Sequence, residues 1–214
     1  MSRVINAATL IDILKDTSTG WSRNSDELRR LDSIAGDGDL GVTVELASKA
    51  MADYLANPGE EDIGKLLMRC GMQINKASPS TFGTLLASAF MEAGKSVLGR
   101  KEIAVNDLVL LGKGAVEGVK KRGKAEVGDK TMLDALVPAV EAFEQAFAKG
   151  TDIRMALEST IKAAKGGAEA TVNMKAKYSR ASYRQDGAIG LQDAGATATY
   201  FLIEAFVKSL SKHI

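Results

Sequence analysis

The feature that most constrains this chain is the spacing of its apolar residues. Almost throughout, they recur at intervals of three and four, the period of one face of an α-helix. Val4, Ala7, Ala8, Ile11 and Leu14 form one such stripe over residues 4–18. Ile63, Leu66, Leu67, Cys70 and Ile74 form another over 61–76. Aromatics are 5% of the 214 residues and prolines number three, too few for the apolar runs and turn clusters of an all-β chain. The expected fold class is all-α.

Start and stop signals divide the pattern. Asp26 and Glu27 open a short helix that runs into Asp32, and a helix over 42–56 is stopped by "NPGEED". In "SPST", Ser78 is expected to cap a helix and Pro79 to take its first position, the helix running to about Val97. "VND" around Asn106 opens a helix through Val119. Residues 128–150 form a long amphipathic segment with Asp129 as its cap and Gly150 as its stop. Thr151 and Asp152 start a helix through about Val172, and the last covers about 195–211. Eight or nine helices on short connections suggest an up-and-down bundle or a closed helical barrel. No linker rich in Pro, Gly or Ser interrupts them, so residues 1–214 are expected to form one domain, long enough to bury a substantial core. The irregular stretches too long for mere connectors are 33–43, 122–131 and 178–194, and function tends to collect in such places.

Bulk properties exclude several classes. A formal net charge of +1 speaks against a dedicated nucleic-acid binder. The densest basic run, Lys120, Lys121, Arg122 and Lys124, reads first as a solvated helix end. The single Cys70 cannot form an intramolecular disulfide and lies in an apolar pattern, as a small buried hydrophobe would. No apolar run approaches the ~20 residues of a membrane helix, and the N-terminal stretch lacks a signal-peptide core. The expected location is cytoplasmic, with no membrane partner.

One irregular stretch, "SIAGDGDLGVTV", sets Asp37 and Asp39 either side of Gly38, with Asp32 five residues before Asp37. Its letters satisfy G-x-G-x-x-G, but that fingerprint needs a preceding strand, and here the preceding residues read as helix. As an EF-hand loop it would put Gly41 and Ser48 where oxygen ligands are required. "AFMEAGKS" misses a Walker loop because Ala89 replaces its first glycine. Two readings survive. In one, the aspartates merely cap a surface turn. In the other, three carboxylates hold a hard cation such as Mg²⁺, which bridges Asp oxygens to phosphates, while Gly36, Gly38 and Gly41 let backbone and ligand approach.

Three longer stretches carry a resemblance. "LDSIAGDGDLG", "KRGKAEVGDKTMLDALVPAVE" and "SRASYRQDGAIGLQDAGATA" are similar to the nucleotide-binding L subunit of dihydroxyacetone kinase and to the matching C-terminal domain of the single-chain ATP-dependent kinases. The likeness spans nearly the whole chain. It implies a closed barrel of about eight antiparallel helices with ADP or ATP at one open end, held through two Mg²⁺ ions. By position it implies Asp32, Asp37 and Asp39 as metal ligands. Leu40, Gly41, Val42 and Thr43 would face the phosphates at a helix start, a favourable anion site. Ala77 and Ser78 align with the family's glycine-rich loop, Gly123 and Met132 with positions around the adenine. Arg180 and Asp193-Ala194-Gly195 align with further nucleotide contacts. Thr131 and Asp134 would support the loop.

The chain departs from the family in two places. Leu40 stands where many relatives have His, and Pro79, inside the altered 77–83 loop, donates no amide. The only histidine is His213, whereas the family binds its ketone covalently through a histidine of a separate K subunit or domain. The resemblance therefore implies half a phosphotransferase, active on a short ketose only with a K-type partner. A phosphotransferase-system phosphocarrier and a second copy of the chain stand as further candidate partners. Two other classes share the acidic constellation: an ADP-binding regulatory or adaptor protein, and an all-α di-Mg²⁺ hydrolase of ADP-ribose-type substrates.

Overall fold

A computed structural model describes residues 4–184 and 186–214. Among them are nine α-helices: α1 (Ala7–Ser22), α2 (Ser25–Ala35), α3 (Leu40–Ala56), α4 (Ile63–Ala77), α5 (Thr81–Lys95), α6 (Leu108–Gly123), α7 (Leu133–Ala148), α8 (Ile153–Ala170) and α9 (Ala194–Leu210). The all-α expectation holds. The expected stripes are the buried faces: Leu10, Ile13, Leu14 and Trp21 on α1, and Ile63, Leu66, Cys70 and Ile74 on α4, all enter the core.

The only sheet among the described residues is a pair of three-residue strands, β1 (Val4–Asn6) and β2 (Glu102–Ala104). They run antiparallel with Ile5 opposite Ile103, and both isoleucines are buried. This corrects the placement of Val4 on the first helix. Asn6 caps α1 by accepting the Thr9 amide at 2.9 Å, so the helix begins at Ala7 and Val4 is half exposed.

Two expected caps also move. Ser78 does not start α5. Its hydroxyl donates back to the Ile74 carbonyl at 2.9 Å and closes α4, while Ser80 caps α5 by accepting the Gly83 amide at 3.0 Å. Pro79 thus lies before the cap and not at the first helical position. Asp129 does not cap α7 either. Its carboxylate accepts the Glu126 amide and pairs with Lys177, inside the loop that precedes the helix. The helix over 42–56 begins two residues early, at Leu40.

Helices adjacent in the chain pack on one another from α3 through α9, and α1 packs on both α3 and α9. α2 leans on α3 and the start of α9. The Trp21 indole N–H donates to the Ala198 carbonyl at 2.8 Å and locks α1 to α9 in the core. The starts of α3, α5 and α9 and the end of α2 meet at one end of the molecule.

Candidate nucleotide and metal site

At that end lies a pocket of about 640 Å³. One wall is the loop between α2 and α3. The Gly36 amide closes α2 by donating to the Asp32 carbonyl at 2.6 Å, and Gly38 turns the chain through φ 76°, a conformation that disfavours any side chain. A Cβ at position 36 would stand 2.2 Å from the Asp32 carboxylate. These two glycines let three acidic side chains converge: one oxygen from each of Asp32, Asp37 and Asp39 lies within 4.8 Å of the others. That is the donor set a hard divalent cation takes.

The carboxylates are not occupied as caps. Asp39 occupies the capping position of α3 without a side-chain hydrogen bond. Asp32 spends one oxygen on the Leu40 amide at 3.2 Å. Asp37 faces the guanidinium of Arg180, which crosses from the opposite wall. The capping-turn reading of the triad therefore explains at most one of its three members.

The remaining walls bring positive groups. The first turns of α3, α5 and α9 contribute Leu40, Thr81 and Ala194, and the leading amides of a helix have no intrahelical acceptors. Partial positive charge gathers there, so three helix starts aimed at one space favour an anion. The Thr43 and Ser80 hydroxyls touch at 3.2 Å and join the starts of α3 and α5. Across the pocket, Met132 and Thr131 precede α7, where the buried Asp134 carboxylate accepts the Gly128 amide at 2.6 Å and the Thr131 amide at 2.7 Å.

Asp193 caps α9 by accepting the Ala196 amide at 2.7 Å. Burial pushes its carboxyl up to about 6, against the opposing pull of that amide and of Lys130; Asp134 and Asp32 add to the rise. Lys130 is itself displaced downward by burial, with Asp193 and Asp186 resisting.

The pocket thus gathers Asp32, Asp37, Asp39, Leu40, Thr43, Met132, Arg180, Asp193, Ala194 and Gly195. The other expected contacts lie off its walls. Gly41 is packed under the Ser25 carbonyl, Val42 faces outward on α3, and Ala77 and Ser78 belong to the end of α4. Gly123 ends α6 against Leu85, which does line the pocket. Ser80, Thr81 and Phe82, at the start of α5, lie within the 77–83 stretch aligned with the glycine-rich loop and line the pocket in place of Ala77 and Ser78, while sequence reasoning missed Lys130 and Tyr178. "SPST" holds two serines able to cap, and choosing the first moved the helix start off the site. Nothing local marks Lys130 or Tyr178.

The sequence from residue 34 to 208 matches the model of the DAK2 domain. The chain belongs to the DAK2 domain family. It is 33% identical over 184 residues to the Escherichia coli protein named PEP-dependent dihydroxyacetone kinase, ADP-binding subunit DhaL, covering 86% of this chain and 88% of that one. It is 30% identical over 213 residues to the ADP-binding subunit DhaL of a second such kinase in Listeria innocua, covering 99% and 98%. Human triokinase/FMN cyclase is 29% identical over 186 residues, 86% of this chain and 32% of that protein. Among solved structures, dihydroxyacetone kinase of C. freundii in complex with AMP-PNP and Mg²⁺ superposes with a TM-score of 0.71 at 25% identity, over 94% of this chain and 34% of that one. The chain therefore spans about a third of that solved kinase. No helix among the described residues is long and apolar enough to cross a membrane.

Proposed function

We propose that this chain is the nucleotide-binding, phosphoryl-transfer subunit of a dihydroxyacetone or related short-ketose kinase. In this reading residues 1–214 form one cytoplasmic domain, and its long helices close a barrel, since α9 packs back onto α1. The observation that carries the proposal is the triad of carboxylate oxygens within 4.8 Å, set where three helix starts face one pocket. ADP-binding relatives that match almost end to end support it.

Asp32, Asp37 and Asp39 would hold two Mg²⁺ ions. Bound Mg²⁺ would neutralise the phosphate oxygens of ADP or ATP, the main requirement of phosphoryl transfer. The chain's own groups do the positioning. The first-turn amides of α3 and α5 face the phosphate space. Arg180 brings a cation to the triad, and Met132 offers a soft, buried surface for the base. Leu40, buried beneath this wall, leaves phosphate contact there to backbone amides.

No group here suits activation of a sugar hydroxyl. His213 follows the far end of α9, roughly 25 Å along the helix axis from the pocket. A separate K-type subunit would therefore bind the ketose and present its hydroxyl. The donor would be either a phosphocarrier that recharges resident ADP or ATP that exchanges.

The test is calorimetric titration with ADP in Mg²⁺ and in EDTA, for the native protein and Asp37→Asn. Binding that requires Mg²⁺ and falls at least about tenfold in Asp37→Asn is expected, with helical circular dichroism unchanged. Mixing with a sugar-binding subunit should then phosphorylate a short ketose. Equal ADP affinity in EDTA, or turnover of ADP-ribose by the chain alone, would refute the proposal.

A further inference from the structure

Lys130 has 3% of its surface exposed, and its backbone lies at φ 62°, a region non-glycine residues seldom occupy. A buried ammonium and a left-handed backbone both cost stability unless their surroundings hold them. Here the surroundings are four carbonyl oxygens. Lys130 Nζ donates to Leu191, Ala188 and Thr171 at 2.5, 2.7 and 2.8 Å, with Met174 at 3.3 Å. An ammonium has three protons, so it satisfies the nearest three fully and meets the fourth as a charge. All four belong to one segment, residues 171–191, between α8 and α9.

The other ties of that segment to the α6–α7 loop gather at one point: the Lys177 amide donates to the Asp129 carbonyl at 3.2 Å, Lys177 pairs with the Asp129 carboxylate, and the Tyr178 hydroxyl donates to the Lys124 carbonyl at 2.7 Å. The segment's regular structure among the described residues is limited to two short 3₁₀ turns, Thr171–Asn173 and Arg180–Tyr183. Its own core is Ala176, Ala181 and Ala188, with Leu191 and Ala35 against them. Small side chains bury little apolar area, and hydrophobic stabilisation scales with that area. Two backbone bonds tie its arms together, Ala176 N–H to Gly187 and Gly190 N–H to Val172, each at 2.8 Å. The segment nevertheless carries Arg180 to Asp37, and its last residue precedes the Gln192–Asp193 approach to α9. Lys130 stands in the middle, on the loop that also supplies Thr131 and Met132 to the pocket.

We propose that Lys130 is a positioning residue, a built-in cation whose ammonium gathers four carbonyls and so holds the 171–191 segment, with Arg180, against the triad. It touches neither metal nor phosphate in this role. Its effect on nucleotide binding rests on the function proposed above; its effect on the segment does not.

The experiment compares the native protein with Lys130→Ala and Lys130→Met. Lys130→Ala empties the ammonium's place, and Lys130→Met keeps the stem without donors. Hydrogen exchange is read at the Ala176 and Gly190 amides and Mg²⁺–ADP affinity by calorimetry. Chloride salts of ethylammonium and of tetramethylammonium are added at equal ionic strength. Both variants should exchange these two amides at least about tenfold faster while α1, α4 and α5 stay protected. Ethylammonium, but not tetramethylammonium, should restore protection in Lys130→Ala and should not act on Lys130→Met. Mg²⁺–ADP affinity should fall and recover in parallel. Unchanged exchange in both variants, equal rescue by both salts, or global unfolding of both variants would overturn the proposal. If the native protein fails to bind Mg²⁺–ADP while the exchange results hold, the nucleotide reading falls and the clamp stands.

Discussion

Replacing Asp134 with Ala tests whether the loop before α7 is held as described. The carboxylate is buried and accepts two backbone amides, Gly128 at 2.6 Å and Thr131 at 2.7 Å. Removing it strands both. An amide left without its acceptor costs about 1–3 kcal/mol when it stays buried. Gly128 lies on the surface and can take water instead, so the larger share of the loss falls on Thr131. Together these give a loss of about 3 kcal/mol, which lowers the melting temperature of a chain this size by about 6–12 °C. Asp134→Asn keeps one acceptor but turns an NH₂ toward the other amide, so it should recover little of the loss. Urea denaturation of the ligand-free protein, read by circular dichroism, measures the difference. A loss below about 0.5 kcal/mol for Asp134→Ala would refute the argument, because it would mean the two amides find water freely.

Other outcomes follow from single contacts. A Cβ at Gly167 would stand 1.9 Å from the Asp134 carbonyl, an oxygen that Pro138 cannot engage for lack of an N–H, so α8 packs directly on the α7 backbone there. Gly167→Ala should cost about 1–3 kcal/mol or more at an unchanged m-value in urea; a neutral result would contradict this close approach. Asp193, raised in the fold from 3.8 to about 6, adds stability that is full below pH 3.8 and is lost as pH rises through 6. Asp193→Asn keeps the cap and should flatten the stability profile between about pH 4 and 6; an unaltered slope there would count against it. Burial pushes the Cys70 thiol up to about 12, so a thiol reagent at pH 8 should label only unfolded protein. Labelling of the folded chain at the unfolded rate would contradict this burial.

What could be read from the sequence was local. Helices appeared where expected because a period of 3.6 residues writes the buried face of a helix directly into the order of apolar residues, as at Ile63, Leu66, Cys70 and Ile74. Asp32, Asp37 and Asp39 were found because only six residues lie between the first and the last of them, and glycines mark the turn. The wrong caps arose from choices between near neighbours. Ser78 and Ser80 both suit a helix start, and only the packing of α4 on α5 decides which hydroxyl turns back.

The sequence alone determined an all-α chain with a glycine-flanked acidic turn, since both depend on interactions within a few residues. Tertiary structure decided what faces that turn. Residues 4–6 became a strand because they met 102–104, and no local period announces a partner about a hundred residues away. Arg180 reaches Asp37 and Lys130 reaches four carbonyls as many as 61 residues along the chain for the same reason. Contacts of that kind are set by where the helices bring their loops together, which depends on the packing of the whole core.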